Sequence, residues 1–184
     1  MNLSICTYGN PVLRKKAVEV ERVDNAVRSF VEEMLETMHR EKGLGLAAEQ
    51  VGHTERICVI DIPSDSDVDA EGVRENPDVE MPLVLINPKI TTHSEEIQVG
   101  QEGCLSFPDI YAQVERWYEV EAEYLDLSGE KKSLQAKGLL SRAIQHELDH
   151  LDAVLLVDRM SPVKRVAISG KLKRLAKQTK KALT

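Results

Sequence analysis

The residues Gln145-His146-Glu147-Leu148-Asp149-His150 place two imidazoles four positions apart, with a glutamate directly after the first. On a helix, positions i and i+4 share a face, so both rings can reach one metal ion. Glu147 points about 100° away from His146 around the same helix, which suits a base acting on a metal-bound water rather than a third ligand. The surrounding pattern is helical. Leu139, Ala143, His146 and His150 recur at i, i+4, i+7 and i+11, while Leu140, Ile144, Leu148 and Leu151 line a second apolar face. A helix apolar on most sides is buried, and the histidines are buried with it. On these residues alone, two core histidines that match the pattern by chance remain the competing reading.

A catalytic metal needs three protein ligands and an open position. Leu156 stands where a later third histidine would fall, and no carboxylate follows Asp158, so the third ligand must come from upstream. The best candidate is Cys104, in Gln101-Glu102-Gly103-Cys104-Leu105-Ser106, a setting without an alternating core pattern. Cys6 and Cys58 differ: both sit in apolar strand-like runs and read as buried small hydrophobes. One cysteine with two histidines suits zinc, iron, nickel or cobalt, and ligand softness does not choose among them.

With these residues in view, the chain resembles the peptide deformylases. Three motifs carry the resemblance, in order: Gly43-Leu44-Gly45-Leu46-Ala47-Ala48-Glu49-Gln50, Glu102-Gly103-Cys104-Leu105-Ser106 and Gln145-His146-Glu147-Leu148-Asp149-His150. The likeness begins at Tyr8-Gly9-Asn10-Pro11-Val12-Leu13-Arg14 and runs to about Ser161-Pro162. It implies hydrolysis of N-formylmethionyl nascent peptides to formate and a free amino terminus. The metal would sit on Cys104, His146 and His150, with Glu147 as general acid and base. The backbone N–H of Leu105 and the amide of Gln50 would serve the oxyanion. Family membership also implies one divalent ion, Fe2+ in the cell, with Zn2+, Ni2+ or Co2+ possible in a preparation. Gly43 and Gly45 are expected to let the backbone approach the substrate. Leu44 would join the methionine pocket, and on helical spacing Leu139, Arg142 and Ala143 lie on or beside the face leading to His146. Arg142 is unexpected beside an apolar pocket, unless its stem packs while its charge reaches water. Ala153 and Leu156 replace the glycine and aromatic that the family usually carries after the metal helix, and Lys42 stands where an acid or small residue is common.

The elements that must position these groups read as α+β: a buried metal-binding helix on mostly antiparallel strands, plus a C-terminal helix. At 184 residues, the chain fits one catalytic domain, 1–184, with a basic helix over about 163–184. Asp24 can cap a helix to about His39, whose Val27, Phe30, Val31, Met34, Leu35 and Met38 form a core stripe. Arg56 to Ile62 and Leu83 to Ile86 read as strands, with Lys89 to His93 extending the second after Asn87-Pro88. Between them, residues 63–82 carry seven acids against one arginine and read as a solvated surface loop. Tyr118 to Tyr124 alternates as a half-buried strand, and Lys131 to Gln135 returns as its hairpin partner.

Composition excludes some classes. No run of about 20 apolar residues could span a membrane. The N-terminus is neither a signal peptide nor an Arg-rich transit peptide, and three scattered cysteines suit a reducing compartment, so the chain as given reads as cytoplasmic. The net charge of −7 hides an asymmetry: nine Lys or Arg and no acid follow Asp158, leaving −16 on residues 1–158. The resemblance implies that such a tail contacts the ribosome. A solvated helix whose apolar side rests on the body is the alternative. Sequence-specific nucleic-acid binding is not expected, since no aromatic follows Tyr124 to stack on bases. Related N-acyl or peptide hydrolysis and a purely structural metal remain the other classes.

Overall fold

The computed structural model describes residues 3–183. Asn25–Arg40 form helix α1, capped by the Asp24 side chain, which accepts from the Val27 N–H at 3.0 Å. Strands β1 (Gly45–Ala47), β2 (Ile57–Ile60), β3 (Leu83–His93), β4 (Ile97–Gly103), β5 (Tyr111–Trp117), β6 (Glu119–Leu125) and β7 (Lys131–Lys137) follow. Then come α2 (Gly138–Leu151), α3 (Leu156–Arg159), α4 (Pro162–Ala167) and α5 (Ser169–Ala182). The class is α+β as expected, and every pairing between these strands is antiparallel.

Five strands form a sheet in the order β1-β2-β3-β6-β7, and β4-β5 make a separate ribbon. Helix α2 covers one face of the sheet. Its Leu140, Ile144, Leu148 and Leu151 join Ala47, Cys58, Ile60, Val120, Ala122 and Ala136 in one core. On the opposite face, Val31, Met34 and Met38 of α1 pack against Leu46, Ile57, Val59 and Ile86. Strand β2 is therefore covered on both sides, which is why it is a continuous apolar run, whereas β6 alternates.

Strand β3 extends through Asn87-Pro88 to His93 as expected, with the register shifting between Ile86 and Lys89. Asn87 takes φ 53° there, and its amide bonds both the N–H and C=O of Val20. Two local features differ from the expectation. The basic tail is two helices rather than one, divided at Ile168, which caps the end of α4 and the start of α5. Thr184 lies outside the described residues. Finally, the 63–82 segment is not a wholly solvated loop, since Asp67 and Asn76 within it are buried.

The apolar side of α5 is already occupied. Leu172 is buried and Ile168 and Leu175 partly so, in a cluster with Leu13, Phe107, Ile110 and Met160. The Thr7 and Thr179 hydroxyls meet at 2.6 Å, and the Lys171 ammonium donates to the Asp109 carbonyl. After α2, Ala153 adopts φ 61°, a left-handed conformation that costs a non-glycine residue about 1 kcal/mol. The missing glycine is thus a local strain at a helix end.

Candidate metal centre and active site

Cys104, His146 and His150 offer ligand atoms that all lie within 4.8 Å of one another. Helix α2 sets the two imidazoles one turn apart, with ring centroids 5.1 Å apart and planes at 68°. Cys104 arrives from the opposite side, on the turn that follows β4, and its Sγ lies 3.3 Å from His150 Nε2. Two donors sharing a tetrahedral ion, one sulfur and one nitrogen, stand roughly 3.5 Å apart on standard bond lengths. The donor set fits a divalent cation on that measure. Burial works against a charged His146, yet hydrogen bonding to Cys104 and Glu102 outweighs it and raises the pKa. Burial, with His146 and Arg116 nearby, pushes the His150 pKa well down, keeping that ring neutral as a ligand must be.

His146 is held from behind. Its Nδ1 lies 2.9 Å from Glu102 Oε2, which leaves Nε2 for the site. Glu102 also accepts from Arg116 Nε at 2.9 Å and Nη2 at 3.0 Å, and from Arg142 Nη1 at 2.8 Å. Burial alone would raise the Glu102 pKa, but these donors hold it well below the usual carboxylate range. Arg116 reaches on to Asp149 at 2.6 Å, and Asp149 accepts from Arg159 Nε at 2.9 Å.

Glu147 is 4% exposed, and its Oε2 has no hydrogen-bond partner among the described residues. Burial pushes its pKa up to about 7, against the pull of nearby His146. Its carboxyl lies against Gly45: a Cβ at residue 45 would stand 2.8 Å from the carboxyl carbon. A glycine at 45 therefore makes room for Glu147, a reason beyond access for substrate. Gln50 ends the short turn after β1. Its Oε1 accepts from the Ala47 N–H at 2.9 Å, so its NH2 must point to the site, 3.4 Å from Cys104 Sγ and 3.3 Å from Ser106 Oγ.

A cavity of about 730 Å³ opens onto these groups. Gly43, Leu44, Gly45 and Leu105 line one side, and Leu139, Arg142 and Ala143 the other. The Arg142 stem lines the cavity, but its guanidinium turns toward the ribbon, bonding Glu102 and the carbonyls of Val114 and Gln98. That charge is enclosed by acceptors, not released to water, and Arg142 is 7% exposed. Gly100 gives it room, since a Cβ there would meet the guanidinium at 3.0 Å.

Of the motif residues that line the cavity, sequence reasoning named Gly43, Leu44, Gly45, Gln50, Cys104, Leu105, His146 and Glu147, but not Glu102 or Gly103, and it missed the support behind them. Glu102, Arg116 and Asp149 were not singled out. A signal existed for Arg116. In β5 it follows Ala112 and Val114 on the inward face, where an arginine demands a buried acceptor. Phe107, Asp109 and Tyr111 also line the cavity.

Glu49 lies behind the centre, wholly buried, with neither carboxylate oxygen partnered among the described residues. Burial pushes its pKa from 4.5 up to about 8, only partly offset by its own backbone N–H and Arg56, with Glu147 and Asp152 adding to the rise.

The similarity to known proteins matches this geometry. The family model described as polypeptide deformylase matches residues 2–166. A peptide deformylase from Endomicrobium trichonymphae is 41% identical, covering 95% of this chain and 96% of its own. One from Rhizobium meliloti is 42% identical, covering 91% and 90%. The crystal structure of peptide deformylase from Ehrlichia chaffeensis superposes with a TM-score of 0.84 at 37% identity over 100% of both chains. A Synechococcus elongatus deformylase in complex with actinonin gives 0.78 at 42% identity, over 92% of this chain and 85% of that one.

The Glu49 environment predicts a pH effect. A carboxyl whose folded pKa lies above its unfolded value binds more protons when folded, so its contribution to stability declines as pH rises from about 4.5 to 8, at up to ~1.4 kcal/mol per pH unit. Glu49→Gln should therefore raise the melting temperature at pH 8.5 and leave it nearly unchanged at pH 5. Thermal melts of both proteins at the two pH values decide this; the same difference at both would refute the account.

Proposed function

The chain belongs to the polypeptide deformylase family, hydrolases that remove the N-formyl group from nascent proteins, and from that premise we propose how its own residues do so. Cys104, His146 and His150 hold one divalent metal ion, Fe2+ in the cell and readily exchanged for Zn2+, Ni2+ or Co2+ in isolation. Bound there, such an ion supplies Lewis acidity, making water acidic enough to attack at neutral pH and polarising the formyl carbonyl. The observation that carries this reading is the convergence of those three donors beside an unpartnered Glu147 oxygen in a cavity.

Glu147 takes the proton from the attacking water and delivers it to the departing amine nitrogen. Its enclosure favours both transfers, because a carboxyl poised near neutrality can accept and return a proton. The Gln50 NH2, aimed by the bond between its Oε1 and Ala47, donates to the developing oxyanion together with the Leu105 backbone N–H. Leu44, Leu139 and Ala143 receive the methionine side chain, with the Arg142 stem behind them, and Gly43 and Gly45 flank the peptide backbone. The whole chain, 1–184, works as one catalytic domain in the cytoplasm.

The basic tail contacts the ribosome, where the substrate emerges. Support comes from exposed Lys173, Arg174, Lys177 and Lys180 on α5, whose apolar side is spent on the body, and from exposed Lys164 on α4. Phosphate contacts of this kind are salt-dependent and indifferent to sequence. Reversing Lys173, Arg174 and Lys177 to glutamate should abolish co-sedimentation with ribosomes at low salt while short-peptide hydrolysis persists. Unaltered co-sedimentation would end this part of the proposal.

Two substitutions separate ligand from base. Cys104→Ala should lose metal and formate release together. Glu147→Ala should keep the metal, while formate release from a formyl-Met peptide falls by at least the ~10²–10⁴ typical of a positioned acid–base group. Stoichiometric metal in an active Cys104→Ala protein, or metal loss in Glu147→Ala, would contradict the assignment.

A further inference from the structure

Helix α2 begins without the usual help. Lys137 occupies its N-cap position and offers no side-chain cap, so the start of the helix is held by groups from elsewhere. The Gly138 N–H donates to the Tyr118 carbonyl at 2.9 Å, and the acidic segment 63–82 holds the N-cap residue itself. The Asn76 side chain brackets Lys137: its Oδ1 accepts from the Lys137 N–H at 2.9 Å and its Nδ2 donates to the Lys137 carbonyl at 3.2 Å. Asn76 is itself fixed by buried Asp67, which takes both its amide and its backbone N–H. Arg74 closes the group, donating to Asp67 Oδ2 and the Asn76 carbonyl, each at 3.3 Å. Next to it, the Glu75 carboxylate receives the Tyr118 hydroxyl and lies hard against Gly138, whose φ of 53° and lack of a Cβ admit it. A carboxylate at a helix N-terminus also meets the positive end of the helix dipole.

The turn held in this way is the one that forms a cavity wall. Leu139, Arg142 and Ala143 line the cavity from the first two turns of α2, ahead of His146. Val79 and Met81 of the same segment pack into the core cluster that includes Leu139 and Ala143.

We propose that the segment 63–82 is a positioning device for the substrate cavity, with Asn76 and Glu75 fixing the first turn of α2 and so the wall that the substrate side chain meets. This rests on the proposed deformylase reaction for its kinetic consequence, but not for its structural one. The metal ligands lie further along the helix and are braced separately by Glu102, so loosening the first turn acts on substrate fit rather than on the metal.

The test uses the full-length, metal-loaded protein with Asn76→Ala and the milder Glu75→Gln. Hydrogen exchange at the amides of residues 139–142 should quicken at least 10-fold in Asn76→Ala, with metal content unchanged. For a formyl-Met peptide, KM should rise about 5- to 10-fold with kcat within 2-fold, and preference over a formyl-Ala peptide should shrink. Glu75→Gln, which keeps the shape and loses the charge, should give a smaller change in the same direction. Unchanged exchange at 139–142 in both variants would overturn the proposal. So would faster exchange with an unaltered KM and side-chain preference, since the segment would then be only structural. If the wild-type protein releases formate from neither peptide, the deformylase reading fails, and the exchange result still decides whether the clamp exists.

Discussion

The site depends on one buried carboxylate. Glu102 accepts from Nε and Nη2 along one edge of the Arg116 guanidinium, from Arg142 and from His146, and so joins β4, β5 and α2 at a single point. An unpaired charge at 5% exposure would be costly, and removing one partner from such a group typically costs about 3–5 kcal/mol. Satisfied by four donors, it becomes rigid and directional. Cys104 follows Glu102 by two residues. The contact that orients the His146 ring therefore also fixes how near the cysteine turn can come to the helix. Arg116 carries the same constraint to Asp149, one residue before His150, and Arg159 meets Asp149 from α3. Helix α2 is thereby fixed to the ribbon along the length that bears both histidines.

On the other side of the site, β1 and the turn after it supply shape more than charge. Gly45 makes room for Glu147, and Ala47 aims the Gln50 amide through its N–H. Both depend on β1 lying at the edge of the sheet beside α2. The buried Glu49 belongs to the same turn, and its desolvated carboxyl is a cost that this centre carries near neutral pH.

Much of this was legible in the chain itself. The i, i+4 histidines, the double apolar face around them and the Asp24 cap are local signals with fixed helical periods, and the α+β class followed from them. What escaped was set by partners distant in sequence. Arg142 reads as an intruder beside an apolar pocket, because nothing local reveals that Glu102 and the Val114 carbonyl wait for it. Residues 63–82 read as solvated because acids dominate them, whereas their single arginine and Asn76 are what bind Asp67 and Lys137. Composition reports average exposure, and these are pairings.

X-ray absorption at the metal edge of protein purified without oxygen tests the central claim most directly, because it reports the ion's identity and its neighbours together. The proposed centre predicts a divalent ion with one sulfur at about 2.3 Å and two imidazole nitrogens in its inner shell. A shell built only of nitrogen and oxygen would contradict the assignment of Cys104, and with it the convergence of the three donors on a single ion.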